Sequence, residues 1–365
     1  MDKIRINMLS SADKVDGQGV GSAYLEQVHL IKEGASDLFD VTINGSTDCD
    51  IQHIHTVDPQ NYLKMKATKA ANVCYVHFLP DTLDGSIELP KAIFKIFKKY
   101  VIEMYKAADY LIVVNPIFMD ALSAYGIKRE KMVYIPNYVS KDDFYAKSKE
   151  EVTELKKKYD LDEQSFVVIG VGQVQTRKGV LDFIEVAKAL PHITFVWCGG
   201  FSFGRITDGY DELKKIVDNP PTNVKFLGII PREEMNDMYN LADVLFMPSY
   251  NELFPMAILE AVNLHKPLVL RDLTLYQDIL FKKYLAGSDN ETFASLIDQL
   301  YQNKEMYQTS SVWSKEISEF YSKENVLNIW IDFYTKVHEE HQKNKKQKRR
   351  RMKKKKVFND EQKQK

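Results

Sequence analysis

Short apolar runs alternate along the chain with longer segments in which apolar residues recur at helical spacing. The runs are continuous, as in strands buried on both faces, and helices between such strands are typical of a parallel doubly wound sheet. This α/β pattern occurs in both halves of the chain, so we predict two similar halves. The predicted strands lie near residues 1–6, 50–55, 72–78 and 110–115 in the first half, and 165–172, 193–198, 224–228, 242–248 and 266–270 in the second.

The segment 89–107 combines an apolar stripe with flanking positive charge. A helix of this kind can lie on an anionic membrane surface, or it can pack its stripe against a protein core and leave its lysines in water. Phe94 and Ile96, which are apolar but lie beside the stripe, favour the membrane. The stripe consists of Ile93, Phe97, Tyr100, Val101 and Met104, and the candidate docking lysines are Lys91, Lys95, Lys98 and Lys99.

The length of 365 residues, 44% of them hydrophobic, is sufficient for two domains with full cores. The highly charged segment 147–162 is predicted to contain the boundary between them. We expect a first domain at residues 1–155, a second at 160–320, and an aromatic-rich helix at 321–340 that packs back across the junction. A basic tail at 341–365 is expected to be disordered.

The net charge of -1 hides a strong asymmetry. Eleven of the 50 lysine and arginine residues lie between positions 341 and 358, which contain no acidic residue, so the remainder carries 39 basic against 51 acidic residues. The basic tail suits an anionic membrane surface; a solubilising or nucleic-acid-attracting extension is the alternative.

No apolar run reaches the roughly 18 residues that cross a bilayer, and the chain starts with a strand-like segment instead of a signal peptide. We therefore expect a cytoplasmic protein. The three cysteines, Cys49, Cys74 and Cys198, lack metal-ligand spacing and are interpreted as packed free thiols.

Candidate ligand-binding residues follow the predicted strands, at the edge where open α/β sheets bind ligands. A glycine-rich loop at 10–22, containing Gly19, can bring backbone N–H groups to a phosphate, although a plain strand-to-helix turn has the same pattern. His77 ends a strand, where a structural core histidine is equally consistent. In the second half, Gly172 is followed by Arg177 and Lys178, two cations that suit a diphosphate.

Two carboxylates bracket an apolar turn and the start of a helix in the stretch 251–261. Glu252 should lie in the loop after the strand at 242–248, and Glu260 on the helix behind it. This places both carboxylates near the ligand-binding edge of the second sheet.

The ordered combination of these motifs, together with Ile135-Pro136-Asn137, resembles the retaining glycosyltransferases of family 4 over roughly residues 3 to 335. The resemblance implies the GT-B fold, in which two Rossmann-like doubly wound domains face a cleft. The opening segments 8–13 and 17–22 are similar to those of bacterial enzymes that add the second sugar to glucosyl-diacylglycerol, the glycolipid anchor of lipoteichoic acid.

The resemblance also implies a role for each matching position. Glu260 would hold the ribose hydroxyls of the nucleotide, Glu252 would contact the transferred sugar, and Lys178 would neutralise the diphosphate. His77 would lie near the reacting bond and position the sugar. Thus His77, Lys178 and Glu252 are the candidate catalytic residues, and the candidate donor-binding residues are Gly19, Gly172, Arg177, Lys178, Ile230, Glu252, Phe254 and Glu260.

The implied activity is hexose transfer, with retention, from UDP-glucose or UDP-galactose to a membrane glycolipid by an enzyme on the inner face of the plasma membrane. No D-x-D pair ends a strand, so metal independence is expected, with no cofactor and no specific nucleic-acid partner. Leu253 and Pro255 replace glycines common in the family's loop, which leaves the choice of sugar open. The alternatives are a polysaccharide glycosyltransferase with a polyprenyl-linked acceptor and an inactive binding subunit.

Overall fold

The computed structural model describes residues 2–11, 19–77, 79, 91–202, 204–252 and 254–363. Among them are two six-stranded sheets whose strands all run parallel to their neighbours. The strands of both sheets are short and largely buried, as their continuous apolar sequences predict. In β4, for example, all six residues from Ala71 to Val76 are buried.

The first sheet has the order β2-β1-β3-β4-β5-β6. Its strands are β1 (Ile4–Leu9), β2 (Phe39–Ile43), β3 (Ile51–Ile54), β4 (Ala71–Val76), β5 (Tyr110–Val113) and β6 (Met132–Tyr134). Its helices are α1 (Gly19–Gly34), α2 (Pro59–Ala67), α3 (Lys91–Ala107) and α4 (Phe118–Ala124).

The second sheet has the order β12-β11-β10-β7-β8-β9. Its strands are β7 (Val167–Val171), β8 (Thr194–Cys198), β9 (Val224–Gly228), β10 (Val244–Met247), β11 (Leu268–Arg271) and β12 (Leu285–Gly287). The helices of this half are α5 (Lys149–Lys158), α6 (Val180–Ala189), α7 (Tyr210–Asp218), α8 (Met235–Leu241), α9 (Met256–Asn263), α10 (Thr274–Ile279), α11 (Asn290–Gln302) and α12 (Lys304–Phe320), followed by α13 (Lys323–Lys363).

The chain passes from one half to the other earlier than the predicted boundary at 155–160. The first sheet ends at Tyr134, and the charged helix α5 already packs on α8 of the second half. A capping box of Ser148 and Glu151 starts this helix. Just before it, Lys147 forms an ion pair with Asp237 on α8. The charged segment therefore contains a helix that is capped by its own residues and docked on α8.

The helix α13 crosses back to the first half. Trp330 and Tyr334 are buried there, and the ring of His341 contacts the carbonyl oxygen of Lys69 at 2.9 Å. The helix continues to Lys363, in contrast to the prediction of a disordered tail from residue 341. Lysine, arginine and glutamine are good helix formers, and no glycine or proline interrupts residues 323–363, so the backbone pattern does not break at the end of the packed segment.

The helix α3 is buried at one end and exposed at the other. Val101 and Met104 belong to the core of the first half, whereas Ile93 and Ile96 are 53% and 71% exposed. The apolar stripe therefore packs on the core only through its second half. Within the described residues, no helix is both long and apolar enough to cross a membrane. The three cysteines are buried free thiols, as predicted.

Candidate functional site

The stretch after β10 carries two buried carboxylates on different elements. Glu252 lies in the loop between β10 and α9, and Glu260 lies on α9, which are the positions expected from the sequence. Their exposed fractions are only 7% and 4%, and Phe254 in the same loop is also buried, whereas Leu253 lies outside the described residues. Buried carboxylates need charged or hydrogen-bonding partners. The partners of Glu252 and Glu260 therefore define the site.

Glu252 forms an ion pair with the ammonium group of Lys178. Burial by itself would raise the pKa of Glu252, but the positive charges of Lys178 and Arg177 lower it below its ordinary value, so the carboxylate stays ionised. Burial lowers the pKa of Lys178, and Glu252 opposes this shift. An ammonium group has three N–H donors, so Lys178 can bind phosphate oxygens while it remains paired with Glu252.

The backbone around Lys178 depends on two glycines in the left-handed region. Gly172 follows β7 with φ of 147°, and a Cβ atom there would lie 3.4 Å from Cε of Lys178, so the lysine chain runs close beside it. Gly179 has φ of 68° and ends the short 3₁₀ turn Thr176–Lys178. The helix α6 starts directly after this turn, so the positive end of its dipole adds to the charge of Lys178.

Arg177 joins this turn to the loop that carries Glu252. Its Nη1 atom donates to the carbonyl oxygen of Asn251 at 3.0 Å, and its own carbonyl oxygen accepts from the amide of Tyr250 at 2.8 Å. The two cations and Glu252 are therefore held as one unit at the carboxyl edge of the second sheet.

Glu260 has a separate set of partners that the sequence did not indicate. Its Oε1 atom accepts from Nη1 of Arg232 at 2.9 Å, and its Oε2 atom accepts from the hydroxyl of Tyr239 at 2.6 Å. Arg232 also forms an ion pair with Glu26 on α1, in the other half of the protein. Burial lowers the pKa of Arg232, but the two carboxylates outweigh this effect and raise it, so Arg232 remains a cation between them.

His77, whose side chain is partly exposed, belongs to a stack of rings at the carboxyl edge of the first sheet. Its ring is parallel to that of Tyr75 with 4.2 Å between the ring centroids, and its Nε2 atom lies 3.4 Å from Nδ1 of His55. The ring of His53 is the next neighbour of the His55 ring. The Nδ1 atom of His53 is 2.7 Å from the hydroxyl of Tyr334 on α13. Burial lowers the pKa of both His53 and His77 to about 3 and lowers that of His55 strongly, so all three rings are neutral at pH 7.

One chain of hydrogen bonds connects this stack with the loop after β10. The hydroxyl of Tyr75 donates to Oδ1 of Asn137 at 3.0 Å, and Nδ2 of Asn137 donates to the carbonyl oxygen of Phe254 at 3.4 Å. Because Tyr75 stacks on His77, the structure places the candidate histidine of the first half near the Glu252 loop of the second. Asn137 is thus the residue of the Ile135-Pro136-Asn137 motif that spans the two halves.

The remaining predicted positions lie on other elements. Gly19 is the first residue of α1, and the rest of the loop before it, residues 12–18, lies outside the described part of the chain. Ile230 packs against the core between the two halves. In α3, Lys95 and Lys99 are exposed and the ammonium of Lys98 lies over the ring of Tyr125, whereas the side chain of Lys91 is not among those described.

Sequence reasoning missed several residues that complete the site. His53 and His55 carried a usable signal, because two histidines at alternate positions of a buried strand lie on the same face near its carboxyl end. Nothing in the sequence indicated that Arg232 belongs to the site, since it begins the run Arg232-Glu233-Glu234, which has the composition of a solvated turn.

This arrangement can bind a pyrophosphate and a sugar. Lys178 and Arg177 supply fixed positive charge, as a departing diphosphate requires. Glu252 and Glu260 are acceptors for hydroxyl groups, and the neutral His77 can donate or accept a hydrogen bond from the opposite side of the cleft.

Known proteins are similar to this chain in sequence and in fold. A family model described as "Glycosyl transferases group 1" matches residues 151–326. The chain is 47% identical over 336 residues to the alpha-galactosylglucosyldiacylglycerol synthase of Streptococcus pneumoniae, with 92% of this chain and 90% of that protein covered. It is 28% identical to the processive diacylglycerol alpha-glucosyltransferase of Acholeplasma laidlawii, with 77% and 83% covered.

Two solved structures match nearly the whole fold. The structure of HepE from Anabaena, in complex with UDP and glucose, has a TM-score of 0.71 at 14% identity and covers 91% of this chain and 99% of that one. Sucrose-phosphate synthase from Thermosynechococcus elongatus has a TM-score of 0.74 at 14% identity, with 92% and 99% covered. These matches confirm the predicted GT-B fold. The chain belongs to the group 1 glycosyltransferases, in the same family as the pneumococcal alpha-galactosylglucosyldiacylglycerol synthase.

Proposed function

We propose that this glycosyltransferase moves a hexose from a UDP-sugar to glucosyl-diacylglycerol and so forms a diglycosyl-diacylglycerol. The similarity to the pneumococcal synthase, which extends over nine tenths of both chains, carries this proposal. The name of that relative describes a galactosyl-glucosyl product, so galactose is the donor sugar that we favour. The cations Lys178 and Arg177, held at the carboxyl edge of the second sheet, provide the matching donor site.

In the proposed reaction, Lys178 and Arg177 bind the diphosphate and stabilise the negative charge that develops as it leaves. Glu252 contacts the transferred sugar, Glu260 holds the ribose hydroxyls, and His77 positions the sugar from the first half. The acceptor hydroxyl then attacks from the face that the diphosphate leaves, which gives retention, and the phosphate takes the proton. These residues supply the charge stabilisation themselves, so we propose that the enzyme needs no metal ion.

Mass spectrometry of the lipid products tests this function. Purified protein is incubated with glucosyl-diacylglycerol and either UDP-galactose or UDP-glucose, and parallel reactions contain a polyprenyl-diphosphate sugar as acceptor. We expect a diglycosyl-diacylglycerol with one of the UDP-sugars. Product on the polyprenyl acceptor alone would favour polysaccharide assembly, and the absence of both transfer and UDP-sugar hydrolysis would favour an inactive binding subunit. Digestion of the product with α- and β-specific galactosidases or glucosidases reports whether the configuration is retained.

We propose that the enzyme reaches its lipid acceptor by docking on the anionic inner face of the plasma membrane. The exposed end of α3 supports this, because Ile93 and Ile96 lie in solvent beside Lys95 and Lys99. Leu63 on α2, whose neighbour Tyr62 packs edge-to-face on Tyr100 of α3, is also 67% exposed. Each basic residue near such a surface contributes about 1 kcal/mol to binding. The basic part of α13 adds further positive charge.

Sedimentation with vesicles that contain anionic phospholipid tests the docking. The test protein lacks residues 343–365 and carries glutamine in place of Lys95, Lys98 and Lys99. A matched control replaces three exposed lysines of the second half, Lys149, Lys188 and Lys304, with glutamine. We expect the test protein to stay in the supernatant and the control to sediment like the wild type. Equal sedimentation of all three proteins would refute docking through α3 and α13.

A further inference from the structure

Arg232 lies between two carboxylates that come from different halves of the protein. Its Nη1 atom donates to Oε1 of Glu260 on α9 at 2.9 Å, and its Nη2 atom forms the ion pair with Glu26 on α1. The partners Arg232 and Glu26 are 206 residues apart in the chain. The guanidinium group also lies 5.2 Å from the centre of the Phe144 ring, in the segment that connects the halves.

The far oxygen of each carboxylate is fixed as well. Oε2 of Glu260 accepts from the Tyr239 hydroxyl at 2.6 Å, and Oε2 of Glu26 accepts from the backbone amide of Ser140 at 3.1 Å. The Tyr239 ring in turn packs edge-to-face on Phe144. The orientation of Glu260 is therefore set through Arg232 by α1 and by the connecting segment, both outside the half that carries Glu260.

These contacts leave Glu260 able to bind a ligand. Each carboxylate oxygen can accept about two hydrogen bonds, and one bond to each oxygen of Glu260 is accounted for by Arg232 and Tyr239. The remaining acceptor capacity suits two neighbouring hydroxyl groups, such as those of a ribose. A carboxylate held in a fixed orientation binds them more tightly than a mobile one, because less freedom is lost on binding.

We propose that Arg232 is a positioning residue for the nucleotide: it orients Glu260 toward the ribose hydroxyls and, through Glu26, makes nucleotide affinity depend on the docking of α1. This inference rests on the proposed UDP-sugar donor. It also connects the donor site physically with the other half of the enzyme. Any movement that separates α1 from α9 would break the ion pair between Arg232 and Glu26. Nucleotide binding then favours the docked arrangement by the same factor.

Calorimetry with two nucleotides tests the proposal. The probes are UDP and 2′,3′-dideoxyuridine 5′-diphosphate, which lacks the two hydroxyl groups. The variants are Arg232→Gln, Arg232→Lys, Glu26→Gln and the double variant Arg232→Gln with Glu26→Gln. Circular dichroism and the melting temperature of each variant report whether it is folded. Arg232→Lys keeps the positive charge, and nucleotide binding is measured on it instead if Arg232→Gln fails to fold.

We expect Arg232→Gln to bind UDP about tenfold more weakly than the wild type, the change expected for the loss of one hydrogen bond to a charged group. Its preference for UDP over the dideoxy nucleotide should fall by a similar factor, whereas Arg232→Lys should retain part of it. Glu26→Gln should lower the affinity for UDP and the preference for UDP over the dideoxy nucleotide by smaller factors than Arg232→Gln does. The double variant should resemble Arg232→Gln, because both changes break the same series of contacts.

An unchanged preference for UDP over the dideoxy nucleotide in folded Arg232→Gln, or in folded Arg232→Lys if the glutamine variant does not fold, would overturn the positioning role. Wild-type affinity of Glu26→Gln, or additive losses in the double variant, would overturn the dependence on α1. Both results presuppose that the wild-type protein binds UDP. Wild-type protein that binds no UDP would instead overturn the proposed donor, and the inference with it.

Discussion

The three stacked histidines, the buried His53 and His55 and the partly exposed His77, should make the stability of the protein strongly dependent on pH. His53 and His77 have a pKa of about 3 in the folded protein, against an ordinary value of 6.5, and the pKa of His55 is lowered strongly by burial. As the pH falls below about 7, the unfolded chain takes up protons on these rings while the folded protein does not. The contribution of these neutral rings to the free energy of unfolding is therefore complete above pH 6.5, the ordinary histidine pKa. It is lost progressively as the pH falls to about 3.

The size of the effect follows from this difference. Between pH 7.5 and 5.5, stability falls by roughly 1 kcal/mol or slightly more for each histidine that stays neutral in the folded state and titrates near 6.5 in the unfolded state. The three rings together remove about 4 kcal/mol. This is a large share of the roughly 5–15 kcal/mol by which proteins are usually stable.

Urea unfolding at pH 7.5 and 5.5 measures the change. Trp330 is a suitable fluorescent probe because its ring centroid lies 5.6 Å from that of His53, and replacing Trp197 and Trp313 with phenylalanine makes it the only tryptophan signal. In this background, His53→Gln should reduce the loss of stability between the two pH values by roughly 1 kcal/mol. The exposed His29 on α1 provides the control, and His29→Gln should leave the loss unchanged.

The reasoning fails if folded His53→Gln loses as much stability between pH 7.5 and 5.5 as the parent protein. It also fails if the parent protein is equally stable at both values. Either result would mean that the rings become protonated in the folded state, and hence that water reaches them.

Three further predictions concern the donor side. Gly179→Ala should lower the free energy of unfolding by about 1–3 kcal/mol because its Cβ would meet the carbonyl oxygen of Pro248; Gly204→Ala, also at positive φ but in open space, should cost less in the same urea assay. Lys178→Ala should reduce transfer by two to three orders of magnitude in a protein that stays folded but melts at a lower temperature, because the buried Glu252 loses its partner, whereas the surface variant Lys188→Ala should be as active as the wild type. Excess chelator should leave the transfer rate unchanged, and recovery of a lost rate by added Mg²⁺ would refute metal independence.

The sequence by itself indicated nine of the twelve strands of the described residues, without β2, β6 and β12, and the sheet edge at which the candidate site lies. Continuous apolar runs alternating with helices specify parallel strands, and the carboxyl ends of such strands share one edge. Glu252, Lys178 and His77 could therefore be placed at that edge from local patterns alone. The resemblance of the ordered motifs then indicated the family, which the comparisons confirm.

The tertiary structure decided which partners these residues have. The Glu26–Arg232 pair and the contact between His53 and Tyr334 join residues 206 and 281 positions apart. No local pattern specifies such pairs, because they depend on how two sheets and α13 pack together. The docking of α5 on α8 depends on the tertiary structure for the same reason, since Lys147, just before α5, forms an ion pair with Asp237 on α8. A sequence fixes periodicity over a few residues, whereas the environment of a buried charge is set by all the elements that pack around it.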